Sequence, residues 1–466
     1  MLKLTRYLIL LSMILSLAAA CASQPAATPL PATPVPTVSV PIATPETAQA
    51  SMTAAEKLLK QFIQQDYAGM IGSFNDAMTA ALPQDKLQQA WDGIKQQFGA
   101  YQSATSTKFI ARKDKYDVIL IAVKFEQGTL GFRVSVDTTN GQIGGLQFVP
   151  ADTAQAAPYT VPAYVDQTKF EEKDVTIGTG EWQLPGTLTL PKGNGPFAAV
   201  VLVHGSGPND RDETIGPNKP FKDLAWGLAS QGIAVLRYDK RTKVYGEKVA
   251  AMTMFTVKEE TVDDAALAVE VLRQMANIDP RRVFVLGHSL GGYLAPRIAQ
   301  ANENLGGLII MAGLTRPLED VMLEQYQYIA SLDKSAVPQS TLTELPAQIQ
   351  AVKDLQPGDE SKPPILGLPT AYWLALQNYQ PAELAKAVAK PILILQGERD
   401  YQVTMADFKN WQAALTGRSD VQFKTYAELN HLFITGTGKS KPQEYQQAGS
   451  VAQIVIDDIA AWVKQH

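Results

Sequence analysis

From residue 170 onward the sequence alternates short apolar runs with amphipathic stretches, and that alternation restricts the fold more than any other feature. The apolar runs are FEEKDVTIG, EWQLPGTLTLP, FAAVVLVHG, GIAVLRYD, RRVFVLGHS, LGGLIIMAG, KPILILQGE and VQFKTYAE. Between most of the later ones lie stretches with helical spacing, such as KPFKDLAWGLASQ, VDDAALAVEVLRQMA and MADFKNWQAALTG. Apolar strands separated by helices predict an α/β fold with a mainly parallel sheet covered on both faces. Ligands of such sheets bind beyond the carboxyl ends of the strands, so the loops there are where chemistry is expected.

Ahead of this region the pattern is different. Residues 53–99 have helical spacing, and the stretch PQDKLQQAWDGIKQQFG opens near Pro83, as a first helical turn allows. Four strand-like runs follow, TSTKFIARK, YDVILIAVKFE, GTLGFRVSVD and QIGGLQFVP, with Asn140-Gly141 as a tight-turn signal between the last two. Helices followed by an antiparallel meander predict a small α+β domain over 51–150. An Ala/Pro-rich linker over 151–169 then leads to the second domain, 170–466.

The N-terminus carries its own information. Lys3 and Arg6 precede an apolar run from Tyr7 to Leu17, which has the length of a signal-peptide core, so residues 1–20 are excluded from fold reasoning. Cys21 is the chain's one cysteine, which excludes an internal disulfide framework and a cysteine-rich metal site. Its place after Ala18-Ala19-Ala20 resembles a bacterial lipobox, although Leu17 stands four positions before the cysteine where the lipobox has leucine three before. The resemblance implies a lipidated Cys21 and a protein exported to, and anchored on, the extracytoplasmic face of a membrane. Residues 21–50, rich in Pro, Thr and Ala, then read as an extended tether of about 3 Å per residue. The net charge is −5 and no basic stripe stands out, so nucleic acid is not an expected partner.

One loop singles itself out. Gly287-His288-Ser289-Leu290-Gly291 is a G-x-S-x-G sequence that closes the apolar strand RRVFVL and opens a helix. A turn this tight needs small residues two places either side, and it lifts the Ser289 hydroxyl above the sheet edge. The following helix aims its N-terminal N–H groups at the same spot, which favours a developing oxyanion. A serine nucleophile needs a base within reach, and the chain has four histidines. His288 flanks the nucleophile and points away, His466 is terminal, and His204 closes another strand. His431, in the loop YAELNHLF after the last strand, remains.

Together HGSGPNDRDE, YDKRT, GHSLGG and LNHLF resemble the α/β-hydrolase superfamily, and within it bacterial carboxylesterases related to serine aminopeptidases. The region before them resembles a small domain of unknown function found ahead of some bacterial hydrolases. The superfamily places its acid after the strand that precedes the histidine's strand, in a G-x-x-D arrangement, which implies Asp400, with Glu398 as the alternative. It draws oxyanion-hole donors from the backbone N–H of Leu290 and, by likeness to HG-x loops, of Ser206. His204 is then expected to brace its loop, and Arg211 either to brace it or to meet a polar substrate group. The superfamily also inserts a helical cap over the site, here expected at about 315–388, where Tyr326, Tyr328, Tyr372, Trp373 and Tyr379 either line an acyl pocket or pack the cap. The resemblance implies hydrolysis of small acyl esters without metal or organic cofactor. Left open are a peptidase or acyltransferase on the same residues, and a surface binding protein working through residues 51–150.

Overall fold

Phe62 explains why the first helices and the first sheet belong together. It sits on α1 (Gln49–Ile63), whose Ala55, Leu58, Leu59 and Phe62 recur at three- and four-residue spacing and are buried. The Phe62 ring meets Trp91 edge-on at 5.0 Å and lies 6.2 Å from Phe132 and 5.7 Å from Phe148. A computed structural model gives this arrangement, describing residues 48–126, 128–150, 159–334, 336–337 and 339–466. Two short helices follow, α2 (Tyr67–Ile71) and α3 (Asp76–Ala81), capped by the Asp66 and Asn75 side chains. Next comes α4 (Gln84–Phe98), capped at Pro83. The strands β1 (Tyr101–Lys113), β2 (Tyr116–Phe125), β3 (Gly128–Asp137) and β4 (Ile143–Pro150) form an antiparallel four-stranded sheet in sequence order. Helix α1 begins two residues before the domain boundary expected at 51, because Ala48 is already fully buried. Residues 1–47, including the leader, Cys21 and most of the tether, lie outside the described residues.

The described residues divide into two compact units, the second running from residue 157 to the C-terminus. Its sheet has eight strands: β5 (Phe170–Ile177), β6 (Leu184–Pro191), β7 (Phe197–Val203), β8 (Ala234–Tyr238), β9 (Ile278–His288), β10 (Gly307–Met311), β11 (Ile392–Gly397) and β12 (Val421–Tyr426). Their spatial order is β12-β11-β10-β9-β7-β8-β6-β5. The last six strands in sequence are mutually parallel, and β5 and β6 pair antiparallel at one edge. The chain passes from β7 to β8 on one side and returns to β9 on the other, so the order reverses at β7 and β9. That reversal opens a crevice at their carboxyl ends.

The helices that clothe and extend this sheet are α5 (Pro220–Ser230), α6 (Arg241–Val244), α7 (Gly246–Ala250), α8 (Asp263–Arg273), α9 (Leu290–Ala301), α10 (Leu318–Leu332), α11 (Gln339–Lys353), α12 (Thr370–Leu376), α13 (Pro381–Lys386), α14 (Met405–Leu415) and α15 (Gln453–Gln465). Helices α10–α13 form the insertion between β10 and β11. This segment has a small apolar core of its own, built on Leu345, Ile349, Val352, Leu355, Leu366 and Trp373. The end of the expected linker belongs with the second unit. The Tyr159 hydroxyl donates to Asp223 at 2.7 Å and the Tyr164 hydroxyl to the Val451 carbonyl at 2.8 Å, so both are held before β5 begins. No helix among the described residues is long and apolar enough to cross a membrane.

Candidate active site

The Ser289 turn is built by what its neighbours lack. A Cβ on Gly287 would stand 2.2 Å from the Gly291 carbonyl oxygen, and one on Gly291 would stand 2.2 Å from the Val203 oxygen. A Cβ on Gly292 would lie 2.9 Å from the Gly313 Cα. Only glycine lets β9 turn this sharply into α9 while α9 starts against the end of β7. Ser289 takes up the strain, with φ 52° and ψ −113°, a conformation that costs a non-glycine residue on the order of 1–3 kcal/mol. Two backbone hydrogen bonds hold it there: its N–H donates to Met311 at 2.9 Å, and its carbonyl accepts from Tyr293 at 2.8 Å.

His431 comes in from the loop after β12. Asn430 shapes that loop, its side-chain oxygen accepting from the Leu432 and Ile434 N–H groups at 3.0 and 3.2 Å. The loop crosses β11 so closely that a Cβ on Gly397 would lie 2.5 Å from the Leu429 carbonyl oxygen. His431 is buried, and its Nδ1 donates to Asp400 Oδ2 at 2.7 Å. This bond places the proton on Nδ1 and leaves the Nε2 lone pair available to accept one. Asp400 is itself fixed: Oδ1 accepts from the Gln402 and Val403 N–H groups at 2.8 and 3.0 Å, and Oδ2 also accepts from Gln396 at 3.2 Å. Glu398 is exposed and accepts from the Thr425 hydroxyl, away from the imidazole.

His288, beside the nucleophile, is buried and joins two loops. Its Nε2–H donates to the His431 carbonyl at 2.9 Å, and its Nδ1 lies 2.9 Å from Glu213 Oε2. Burial works against both charges, but each sustains the other: the imidazolium is held above its ordinary range and the Glu213 carboxyl below its own. The His288 and His431 rings are 4.7 Å apart, which places the candidate base beside the serine turn.

The loop after β7 closes the site. A Cβ on Gly205 would lie 3.2 Å from the Ser289 Cβ and 3.7 Å from its Oγ, so this backbone runs directly against the serine. Ser206 is exposed at the loop's crest and Leu290 is buried at the first position of α9; neither backbone N–H donates to an acceptor among the described residues. His204 braces the loop through Nε2, 3.0 Å from the Asp210 carbonyl, between Phe221 and Tyr238. Burial keeps it neutral, with its pKa lowered to about 4. Arg211 is a brace as well, bonded to Asp239 at 2.9 Å and to the Thr187 hydroxyl at 2.7 Å. Glu213, at the end of the same charged stretch, sits at φ 50° and was not singled out from sequence; its Oε1 accepts the Gly205 N–H at 2.6 Å.

The five aromatic residues expected over the site pack the insertion. Tyr372 donates to Glu260 at 2.6 Å, Trp373 to the Ile365 carbonyl at 2.8 Å and Tyr379 to the Tyr293 carbonyl at 2.8 Å. Tyr328 donates to the Ser440 carbonyl and stacks on Tyr401, while Tyr326 packs against the segment's own core.

Residues 194–437 match the family described as serine aminopeptidase, S33, and residues 55–146 match a family of proteins of unknown function, DUF3887. The esterase EstD of Thermotoga maritima is 40% identical over 405 residues, which is 87% of this chain and 93% of that protein. An uncharacterized protein, YfhR, of Salmonella typhimurium is 28% identical over 131 residues, 28% of this chain and 39% of its own. A solved esterase structure from Pyrococcus furiosus superposes with a TM-score of 0.40 at 17% identity, covering 64% of this chain and 91% of that one.

Proposed function

The chain belongs to the serine aminopeptidase S33 family of α/β-hydrolases, and from that premise we propose that it is a carboxylesterase working through Ser289, His431 and Asp400. Ser289 Oγ attacks the acyl carbon as His431 Nε2 takes its proton, and the carbonyl π electrons move onto oxygen. The backbone N–H groups of Ser206 and Leu290 donate hydrogen bonds to that oxyanion. Collapse breaks the bond to the alkoxide, which leaves with the proton from His431. Water then attacks the acyl-enzyme with the same histidine as base, releasing the acid and Ser289. The observation that carries this reading is the 2.7 Å bond from His431 to Asp400, with the His431 ring packed beside the serine turn.

A p-nitrophenyl ester series from acetate to palmitate tests it, run on the chain from Ala22 onward and on its Ser289→Ala variant. Turnover should fall by about 10⁴-fold or more with the serine gone. Unchanged turnover would sink the mechanism. Because the family's description names aminopeptidases, leucine p-nitroanilide belongs in the same series; strong amide release with poor ester turnover would make the peptidase reading the better one.

We further propose that the enzyme is exported and tethered to a membrane face by a lipidated Cys21. The basic start, the apolar run and the small residues before that cysteine support this. Cys21→Ser should stop incorporation of labelled palmitate and move the protein into the soluble fraction; retention in the membrane without label would count against the anchor.

A further inference from the structure

Lys240 is buried two residues past the end of β8, at the N-cap of α6, where a lysine needs a reason to be. Its ammonium donates to the Gly205 carbonyl at 2.8 Å and pairs with Glu260 at 2.8 Å. Glu260 lies in a π-helical turn, Lys258–Val262, just before α8, and is also buried; its other oxygen accepts from Tyr372 on α12. Such turns recur at functional sites. A buried lysine–glutamate pair is a poor source of stability, since well-packed apolar residues in its place are often no worse. The position of the pair is more telling than its energy.

The Gly205 carbonyl belongs to the same peptide unit as the Ser206 N–H. That bond is trans, so the N–H points opposite to the C=O. A glycine leaves this peptide plane free to rotate unless something grips it. The adjoining unit is gripped by Glu213 at the Gly205 N–H, 2.6 Å away. Two donors grip the Gly205 oxygen: Lys240, and the Asn209 side chain at 3.2 Å, which also reaches the Ser206 carbonyl at 3.0 Å. Of these, Lys240 is the shorter contact, charged and anchored from beneath. A cation on the carbonyl also polarises the amide and strengthens its N–H as a donor.

We infer that Lys240 is a positioning residue for the oxyanion hole: by gripping the Gly205 carbonyl it turns the Ser206 N–H toward the reacting acyl oxygen, with Glu260 and Tyr372 holding it in place. The inference rests on the serine-hydrolase reading above. It separates Lys240 from residues that hold substrate, since the Ser206 donor gains most when charge develops on oxygen.

The test compares the full-length enzyme with Lys240→Met on p-nitrophenyl butyrate, and measures inhibition by an alkyl trifluoromethyl ketone, whose serine adduct carries an oxyanion. The kcat should fall by about 10- to 100-fold, short of the full loss of a donor, with KM within about twofold. The inhibitor should weaken by a similar factor. Where Lys240→Met does not fold because Glu260 is left unpaired, Lys240→Met/Glu260→Gln removes both charges and should show the same losses. Wild-type kcat and inhibitor affinity in a folded variant would overturn the inference, as would a loss of kcat with inhibitor affinity untouched. Ser289→Ala, run beside them, separates the two claims: activity without the serine undoes the underlying mechanism, whereas a dead serine variant with an intact Lys240 variant undoes only the role of Lys240.

Discussion

At the scale of single residues, His204 has a measurable signature in pH. Its folded pKa of about 4 lies below the ordinary 6.5 because burial disfavours its charge. Between those values the unfolded chain binds more protons, so stability falls as pH drops through the interval and is unaffected above it. The interval corresponds to about 3 kcal/mol. Urea unfolding of wild type and His204→Gln at pH 7 and pH 4.5 should show the variant's deficit shrinking toward acid; a constant deficit would mean the ring is not held neutral. The single residues also show what local sequence can reveal. Asp400 and Glu398 follow one strand two positions apart, and the turn after β11, in which the Asp400 N–H donates to the Gly397 carbonyl at 3.2 Å, decides which of them meets His431. Ser289 was legible because its glycines are a steric requirement of the turn. Glu213 and Lys240 were not, because their partners lie 8 and 35 residues away and only the fold brings these charges to one peptide.

At the scale of elements, one buried carboxylate ties the start of the insertion to α14. Asp407, near the start of α14, accepts from the Thr315 N–H and hydroxyl at 2.9 Å each, and from the Arg316 guanidinium at 2.8 Å. These residues lead directly into α10. Asp407→Ala leaves those donors without their acceptor and a guanidinium without its buried partner, and should cost about 3–5 kcal/mol in urea unfolding. Asp407→Asn, which retains an acceptor, should recover part of it. A loss within about 0.5 kcal/mol would mean the joint is held elsewhere. The strands of this region were legible as apolar runs. Less so were their ends: EWQLPGTLTLP reads as one strand, yet its first residues form a 3₁₀ turn, Gly180–Trp182, and β6 begins at Leu184.

At the scale of the whole molecule, two cores with no residue in common account for two units. One is centred on Phe62, Trp91 and Phe132; the other spans the eight-stranded sheet and its helices. The change from antiparallel meander to strand–helix alternation shows this division in the sequence, because strand–helix alternation builds a parallel sheet clothed on both faces, whereas a meander with helices only before it builds a sheet of another kind. The end of the linker was not legible for the opposite reason: Tyr159 and Tyr164 lie among Ala and Pro, and nothing local says that their hydroxyls are satisfied by Asp223 and Val451. A third, smaller core within the α10–α13 segment has a consequence for descent. A segment with an apolar interior of its own can be exchanged between lineages as a block only where the side chains it lends to the main core, Tyr372, Leu376, Ala385 and Val388 among them, come with it. Tyr372 and Trp373 mark the seam, the indole turned into the block and the phenol turned out toward Glu260. A replacement block that brought phenylalanine to position 372 would arrive intact and still loosen the machinery beneath it.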